Sequence, residues 1–226
     1  MNNKKIIVAL DSSNINDCIK LVDLIKDHVF AFKIGYQFFF NFGLSGYKKI
    51  QEKKVKIFLD LKLHDIPNTV KEGIKAISSL NPYFATIHIS GGDEMQKSVI
   101  KNKNNIKVLG VSILTSISNL ESKKYYNETN ISNLVKKFVI NAKENNLDGV
   151  VCSPQEISLI SDLSSDDFVI VTPGIRLENE EANDQKRFMT PKEAINLGAN
   201  YLVIGRPITK SSDPLKKIIS INSSIE

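Results

Sequence analysis

Cysteine and histidine are scarce in this chain: of its 226 residues, two are Cys and three are His. Cys18 and Cys152 lie far apart and have no metal-ligand spacing, so reduced, partly buried thiols in a reducing compartment are expected. His28, His64 and His88 form no ligand set with the cysteines and carboxylates, and no metal is expected. No apolar run approaches the roughly 20 residues of a membrane span. The apolar segment after Lys5 is too short for a secretory signal, which makes the cytoplasm the expected location. No Gly-x-Gly-x-x-Gly follows the first strand candidate, and this weakens a dinucleotide-binding reading. Long runs of one charge are also missing. The formal net charge is +5, but Lys48-Lys49, Lys53-Lys54 and Lys123-Lys124 stand beside acidic or polar residues. Such pairs describe a solvated surface rather than a nucleic-acid interface, although a mild positive balance helps to draw in a phosphorylated substrate.

What is present is alternation. Short β-branched runs at 6–10, 29–34, 55–59, 84–89, 106–112, 149–152, 168–172 and 201–204 predict strands. Amphipathic runs at 15–26, 36–53, 70–80, 94–101, 131–145, 154–161, 191–197 and 214–221 predict helices. Eight strand-then-helix units imply a parallel sheet with right-handed crossovers. The predicted fold is a single (β/α)8 barrel spanning residues 1–226, with a doubly wound open sheet as the competitor. Ser12, Ser13 and Asn14 can cap the first helix, with Asp17 in its first turn. Pro154, Pro191 and Pro214 stand where a helix tolerates proline, in its first turn. The stretch 174–190 is long, charged and unpatterned, as functional loops in compact domains often are.

In a barrel, chemistry gathers at the C-terminal ends of the strands. The third strand candidate leads into Asp60-x-Lys62-x-x-Asp65. Side chains two apart share a strand face, so Asp60 and Lys62 go together and Asp65 follows on the loop. An arbitrary Asp–Lys pair is more often a surface salt bridge. Here Val55, Ile57, Phe58 and Leu59 imply a strand whose end is largely covered. The other strand ends add Asp11, Lys33, His88 with Gly91-Gly92, Thr115-Ser116, Thr172-Pro-Gly-Ile-Arg176 and Gly205-Arg206. Interleaved carboxylates hold lysines charged, so the array keeps Lys62 protonated and able to give a proton to a developing carbanion. The last two strand ends suit a phosphate: Gly205 permits close backbone approach, and Arg176 or Arg206 supplies a guanidinium fork. His28 belongs to a helix end. For His64 and His88 a structural hydrogen bond fits at least as well as catalysis.

Taken together, Val8-Ala-Leu-Asp11, Phe32-Lys-Ile-Gly35, Asp60-Leu-Lys-Leu-His-Asp-Ile-Pro-Asn-Thr69, Leu114-Thr-Ser116, Thr172-Pro-Gly-Ile-Arg176, Asn183-Asp-Gln185 and Ile204-Gly-Arg206 resemble the orotidine 5′-phosphate decarboxylase family over nearly the whole chain. The resemblance implies decarboxylation of orotidine 5′-phosphate to UMP and CO2 in pyrimidine synthesis, with neither metal nor organic cofactor. It implies that Lys62 protonates C6 of the pyrimidine, that Asp60 lies near the substrate carboxylate, and that Lys33 and Asp65 complete the charged array. Asp65, Ile66 and Thr69 would come from the other subunit of a homodimer. Asp11 and Lys33 would contact the ribose hydroxyls, and Thr115 the pyrimidine. Gln185, Gly205 and Arg206 would hold the phosphate, with Arg176 nearby and 174–190 closing as a lid. Two alternatives remain. One is a magnesium-dependent sugar-phosphate relative, such as a keto-gulonate-phosphate decarboxylase or hexulose-phosphate synthase, which has an acidic residue where Lys33 stands. The other is a non-catalytic barrel that binds phosphate ligands.

Overall fold

Side-chain alternation along each short strand divides the interior into two layers. Ile7 and Ala9 pack in one cluster with Ala31, Phe58, Phe84, Leu109, Val169, Val171 and Val203. Their neighbours Ile6, Val8 and Leu10 pack in another, with Phe32, Ile34, Leu59 and Ile170. A sheet apolar on both faces must be covered on both, and closing it on itself with helices outside achieves this. The computed structural model describes residues 4–175 and 189–225. In it, β1 (Ile6–Ala9), β2 (Ala31–Ile34), β3 (Ile57–Leu63), β4 (Phe84–His88), β5 (Lys107–Val111), β6 (Gly149–Val151), β7 (Val169–Thr172) and β8 (Tyr201–Ile204) form a closed barrel in sequential order. All neighbouring pairs are parallel, including the closing β1–β8 pair. This is the (β/α)8 architecture, not an open sheet.

The outer layer is α1 (Ile15–Ile25), α2 (Tyr36–Gln51), α3 (Pro67–Ser79), α4 (Asp93–Ile100), α5 (Asn119–Tyr126), α6 (Ile131–Glu144), α7 (Ile157–Ile160), α8 (Pro191–Asn196), α9 (Arg206–Thr209) and α10 (Pro214–Ser224). Asn14 caps α1 through its side chain, and Asp17 lies in the first turn. Pro67, Pro191 and Pro214 begin their helices, while Pro154 begins a short 3₁₀ turn that leads into α7. Four expectations need correction. The third strand runs four residues past the predicted end at 59, because Asp60 and Lys62 satisfy each other inside the barrel. The third helix starts at Pro67 rather than at 70. The second helix ends at Gln51 rather than 53, and is interrupted at Gly43, whose φ of 55° only glycine adopts without strain. Both α5 and α9 are additions to the eight predicted helices.

At the N-terminal mouth the barrel is filled by rings. Phe30 lies 4.1 Å from Tyr201 and 5.1 Å from Tyr83, measured between ring centroids. Phe84 meets both Tyr83 and Phe58 edge-on. The Lys56 ammonium sits 4.2 Å from the Phe30 centroid, a cation–π contact. Lys26 follows α1, and Lys53 and Lys54 follow α2, where positive charge offsets the exposed carbonyls of a helix C-terminus. Cys18 and Cys152 are buried free thiols. Among the described residues, no helix is long and apolar enough to cross a membrane.

Candidate active site

The interior parity set by Ala9, Ala31, Phe58 and Phe84 continues upward to Asp11, Lys33, Asp60, Thr86 and His88. Strand register sets Lys33 level with Ala9 and with Phe58, and Asp11 and Asp60 follow those two by one interior position, so the polar side chains directly adjoin the apolar layer. Asp60 is its centre and is only 8% exposed. The Lys62 Nζ donates to Asp60 Oδ1 at 2.8 Å, and the Lys33 Nζ stands 3.6 Å from Oδ2. Lys33 also faces Asp11 Oδ1 at 3.7 Å. Burial by itself raises the Asp60 pKa. The charges of Lys33 and Lys62, with hydrogen bonds from Lys62 and Thr86, outweigh it and hold the carboxyl below its ordinary value. A buried anion between two cations is stable as a set, whereas removing either cation strands a charge.

Asp60 and Lys62 share a face, but not by regular strand pairing. Leu59 pairs with Ala85 and Leu63 with Ile87, so β3 carries four residue steps where β4 carries two. Lys62 takes up the excess at φ 46°, in the left-handed region that side chains other than glycine rarely occupy. Its N–H donates to the Thr86 hydroxyl at 2.9 Å, and that hydroxyl donates to Asp60 Oδ1 at 3.1 Å. The Tyr36 hydroxyl donates to the Leu61 carbonyl at 3.2 Å. A Cβ on Gly35 would come within 2.8 Å of Lys33 Nζ, so the absent side chain leaves room for the ammonium.

The remaining predicted residues are placed as follows. Asp65 is exposed after β3, and its Oδ1 accepts from the Ile66 N–H at 2.6 Å. Ile66 is the N-cap of α3 and is 67% exposed, and Thr69 is exposed in the first turn. These three do not join the Asp60 cluster of their own chain. Thr115 lies exposed on a turn beyond β5. Gly205 and Arg206 follow β8, at the same end of the barrel, where Gly205 caps α9. A Cβ on Gly205 would meet Ala9 at an ordinary 3.5 Å, so protein packing alone does not require glycine there. Arg176, Gln185 and most of 174–190 lie outside the described residues. Ile175 and Met189 bridge the ends of that segment. The His64 and His88 rings lie tilted against each other, with centroids 5.2 Å apart. Burial, then the charges of His64 and Lys62, push the His88 pKa down to about 4, against a small opposing effect of Asp60. Thr86 and Tyr36 are not picked out by sequence reasoning, and Gly35 enters it only as the end of the Phe32-Lys-Ile-Gly35 motif. Thr86 had one available signal, its place two residues before His88 on the interior parity. Among the described residues no three or more His, Cys, Asp or Glu are gathered as metal ligands would be.

Residues 4–221 match the family described as orotidine 5′-phosphate decarboxylase / HUMPS. A protein of Ehrlichia canis (strain Jake) named orotidine 5′-phosphate decarboxylase is 44% identical, with 97% of each chain covered. One of the same name from Coxiella burnetii (strain RSA 493 / Nine Mile phase I) is 39% identical, covering 98% of this chain and 97% of its own. The crystal structure of orotidine 5′-phosphate decarboxylase from Lactobacillus acidophilus superposes with a TM-score of 0.83 at 36% identity, covering 99% of both chains. That of an uncharacterized conserved protein from Geobacillus kaustophilus gives 0.84 at 27% identity, covering 98% of this chain and 100% of the other.

Proposed function

Because the chain belongs to the orotidine 5′-phosphate decarboxylase / HUMPS family, we propose that it is a carboxy-lyase that converts orotidine 5′-phosphate to UMP and CO2 in pyrimidine synthesis. The observation that carries this reading is the Lys33–Asp60–Lys62 cluster, a buried carboxylate held ionised between two ammonium groups. Asp60 disfavours a second carboxylate beside it and so favours loss of CO2 from the substrate. The C6–carboxylate bond breaks, CO2 departs, and the electron pair stays on C6. The Lys62 ammonium stabilises that carbanion and then gives it a proton. Solvent reprotonates the lysine amine. Asp11 and Lys33 bind the ribose hydroxyls, Thr115 lies near the pyrimidine, and Gly205, Arg206 and Gln185 hold the phosphate, with Arg176 nearby. The cation at Lys33 also disfavours the magnesium-dependent sugar-phosphate alternative, since it stands where a divalent ion would be repelled.

The active unit in this reading is a two-fold dimer with shared sites. Asp65, Ile66 and Thr69 are exposed on their own chain, and so is an aromatic pair on α2, Tyr36 and Phe40, whose rings stack at 5.7 Å. The α2 pair is tied to the site, because Tyr36 braces Leu61 and lies 5.9 Å from the Lys62 ammonium. A symmetric interface would bury these groups and hand each Asp65 to the neighbouring site. Buried thiols and the absence of a membrane-spanning helix among the described residues fit a cytoplasmic enzyme. The test is the loss of orotidine 5′-phosphate absorbance on adding protein, with Lys62→Ala alongside. The wild-type chain is expected to consume the substrate, and a folded Lys62→Ala to lose at least the 10²–10⁴-fold, or about that, typical of general acid catalysis. Protein that binds UMP but leaves the substrate untouched would instead be a binding barrel.

A further inference from the structure

Lys62 occupies a backbone conformation that its own side chain resists, at a point where the β3–β4 ladder has slipped. A non-glycine residue in the left-handed region costs about 1–2 kcal/mol and persists only where its surroundings hold it. At the slip, the Lys62 amide donates to a side chain, the Thr86 hydroxyl. We infer that Thr86 is a positioning residue for this site, its single hydroxyl fixing the Lys62 backbone and the Asp60 carboxylate relative to each other.

The chemistry of the groups sets the direction of each bond. An amide N–H can only donate and an ionised carboxylate can only accept, so the hydroxyl must accept from Lys62 and donate to Asp60. The distances are 2.9 Å and 3.1 Å. The Lys62 ammonium returns to the same Asp60 oxygen at 2.8 Å, closing a ring that runs from backbone through hydroxyl and carboxylate to the ammonium. Thr86 is 1% exposed, so no water can readily take its place. Its strand neighbour on the same parity is His88, and Tyr36 braces Leu61 from the other side of the slip. The groups facing Asp60 are thus Lys33 from β2, Lys62 from β3, Thr86 and His88 from β4, with Asp11 beyond Lys33. Thr86 is one of the contacts that keep the Asp60 carboxyl below its ordinary value of 3.8, so losing it moves the acid limb of turnover to higher pH.

This inference rests on the proposed roles of Lys62 and Asp60, and the experiment separates the two. Turnover, KM and the pH profile of kcat are measured for Thr86→Val, Thr86→Ser and Lys62→Ala in the full chain. Thr86→Val is expected to lose about 10- to 100-fold in kcat, the range for a hydrogen bond to a charged group, with KM little changed. Its acid limb should move up in pH, and Thr86→Ser, which keeps the hydroxyl, should restore both. Unchanged kcat in Thr86→Val, or a Thr86→Ser as impaired as Thr86→Val, would overturn the positioning role while an inactive Lys62→Ala left the mechanism standing. An active Lys62→Ala would overturn both. If Thr86→Val does not fold, Thr86→Ala takes its place in the same comparison with Thr86→Ser.

Discussion

His88 is surrounded by groups that favour its neutral form. Burial, the neighbouring His64 and the Lys62 ammonium together bring its pKa from 6.5 to about 4. Between those two values an unfolded chain binds a proton at this residue and the folded chain does not. Stability must therefore rise with pH across that window and fall as the pH drops from 6.5 towards 4. Replacing His88 with Asn should flatten this part of a plot of melting temperature against pH, and parallel curves for the two proteins would show that His88 does not contribute. At this scale the sequence was informative where parity alone decides. Asp11, Lys33 and Asp60 fall on the interior face because Ala9, Ala31 and Phe58 do. Thr86 was hidden, since threonine is an ordinary strand residue and its hydroxyl matters only through a slipped register. Asp65 follows the strand onto the loop as its position implies, whereas Ile66 and Thr69 are named by the family resemblance alone; all three are exposed.

The strands are short, and β6 is the shortest, with three residues between β5 and β7. Gly149 begins it at φ 153°, with Leu109 on one side and Val169 on the other. An added Cβ would lie 2.2 Å from the Val169 carbonyl oxygen, and in a barrel that backbone cannot withdraw without disturbing its other neighbour. Gly149→Ala should cost about 1–3 kcal/mol, as overpacking typically does, and lower the melting temperature by roughly 2–12 °C in a chain of this size. A calorimetric scan indistinguishable from wild type would refute the clash. Periodicity located all eight strands because each is apolar and bounded by turn residues. It missed α5, whose helical face is largely polar, although Ser118 and Glu121 form a capping box that could have marked its start. It misses α9 because four residues make no period, and it ends β3 early because the charged Asp60 and Lys62 break the apolar run.

For the molecule as a whole, the exposed Asp65 and the half-buried Lys62 make a direct test of shared sites possible. Inactive Lys62→Ala and inactive Asp65→Ala proteins are mixed under conditions that exchange subunits. Each heterodimer then holds one site with both lesions and one with neither, so about a quarter of wild-type site activity should return on random mixing. Heterodimers confirmed by mass spectrometry but without activity would show that each subunit completes its own site. The architecture was predictable from eight repeats of one pattern, since a sheet apolar on both faces has few ways to close. The cluster of Phe30, Tyr83, Phe84 and Tyr201 adds a consequence at this scale. With rings filling its floor, the barrel is closer to a cup than to a tube. The Asp60 cluster faces the opposite rim, where the loops after the strands begin.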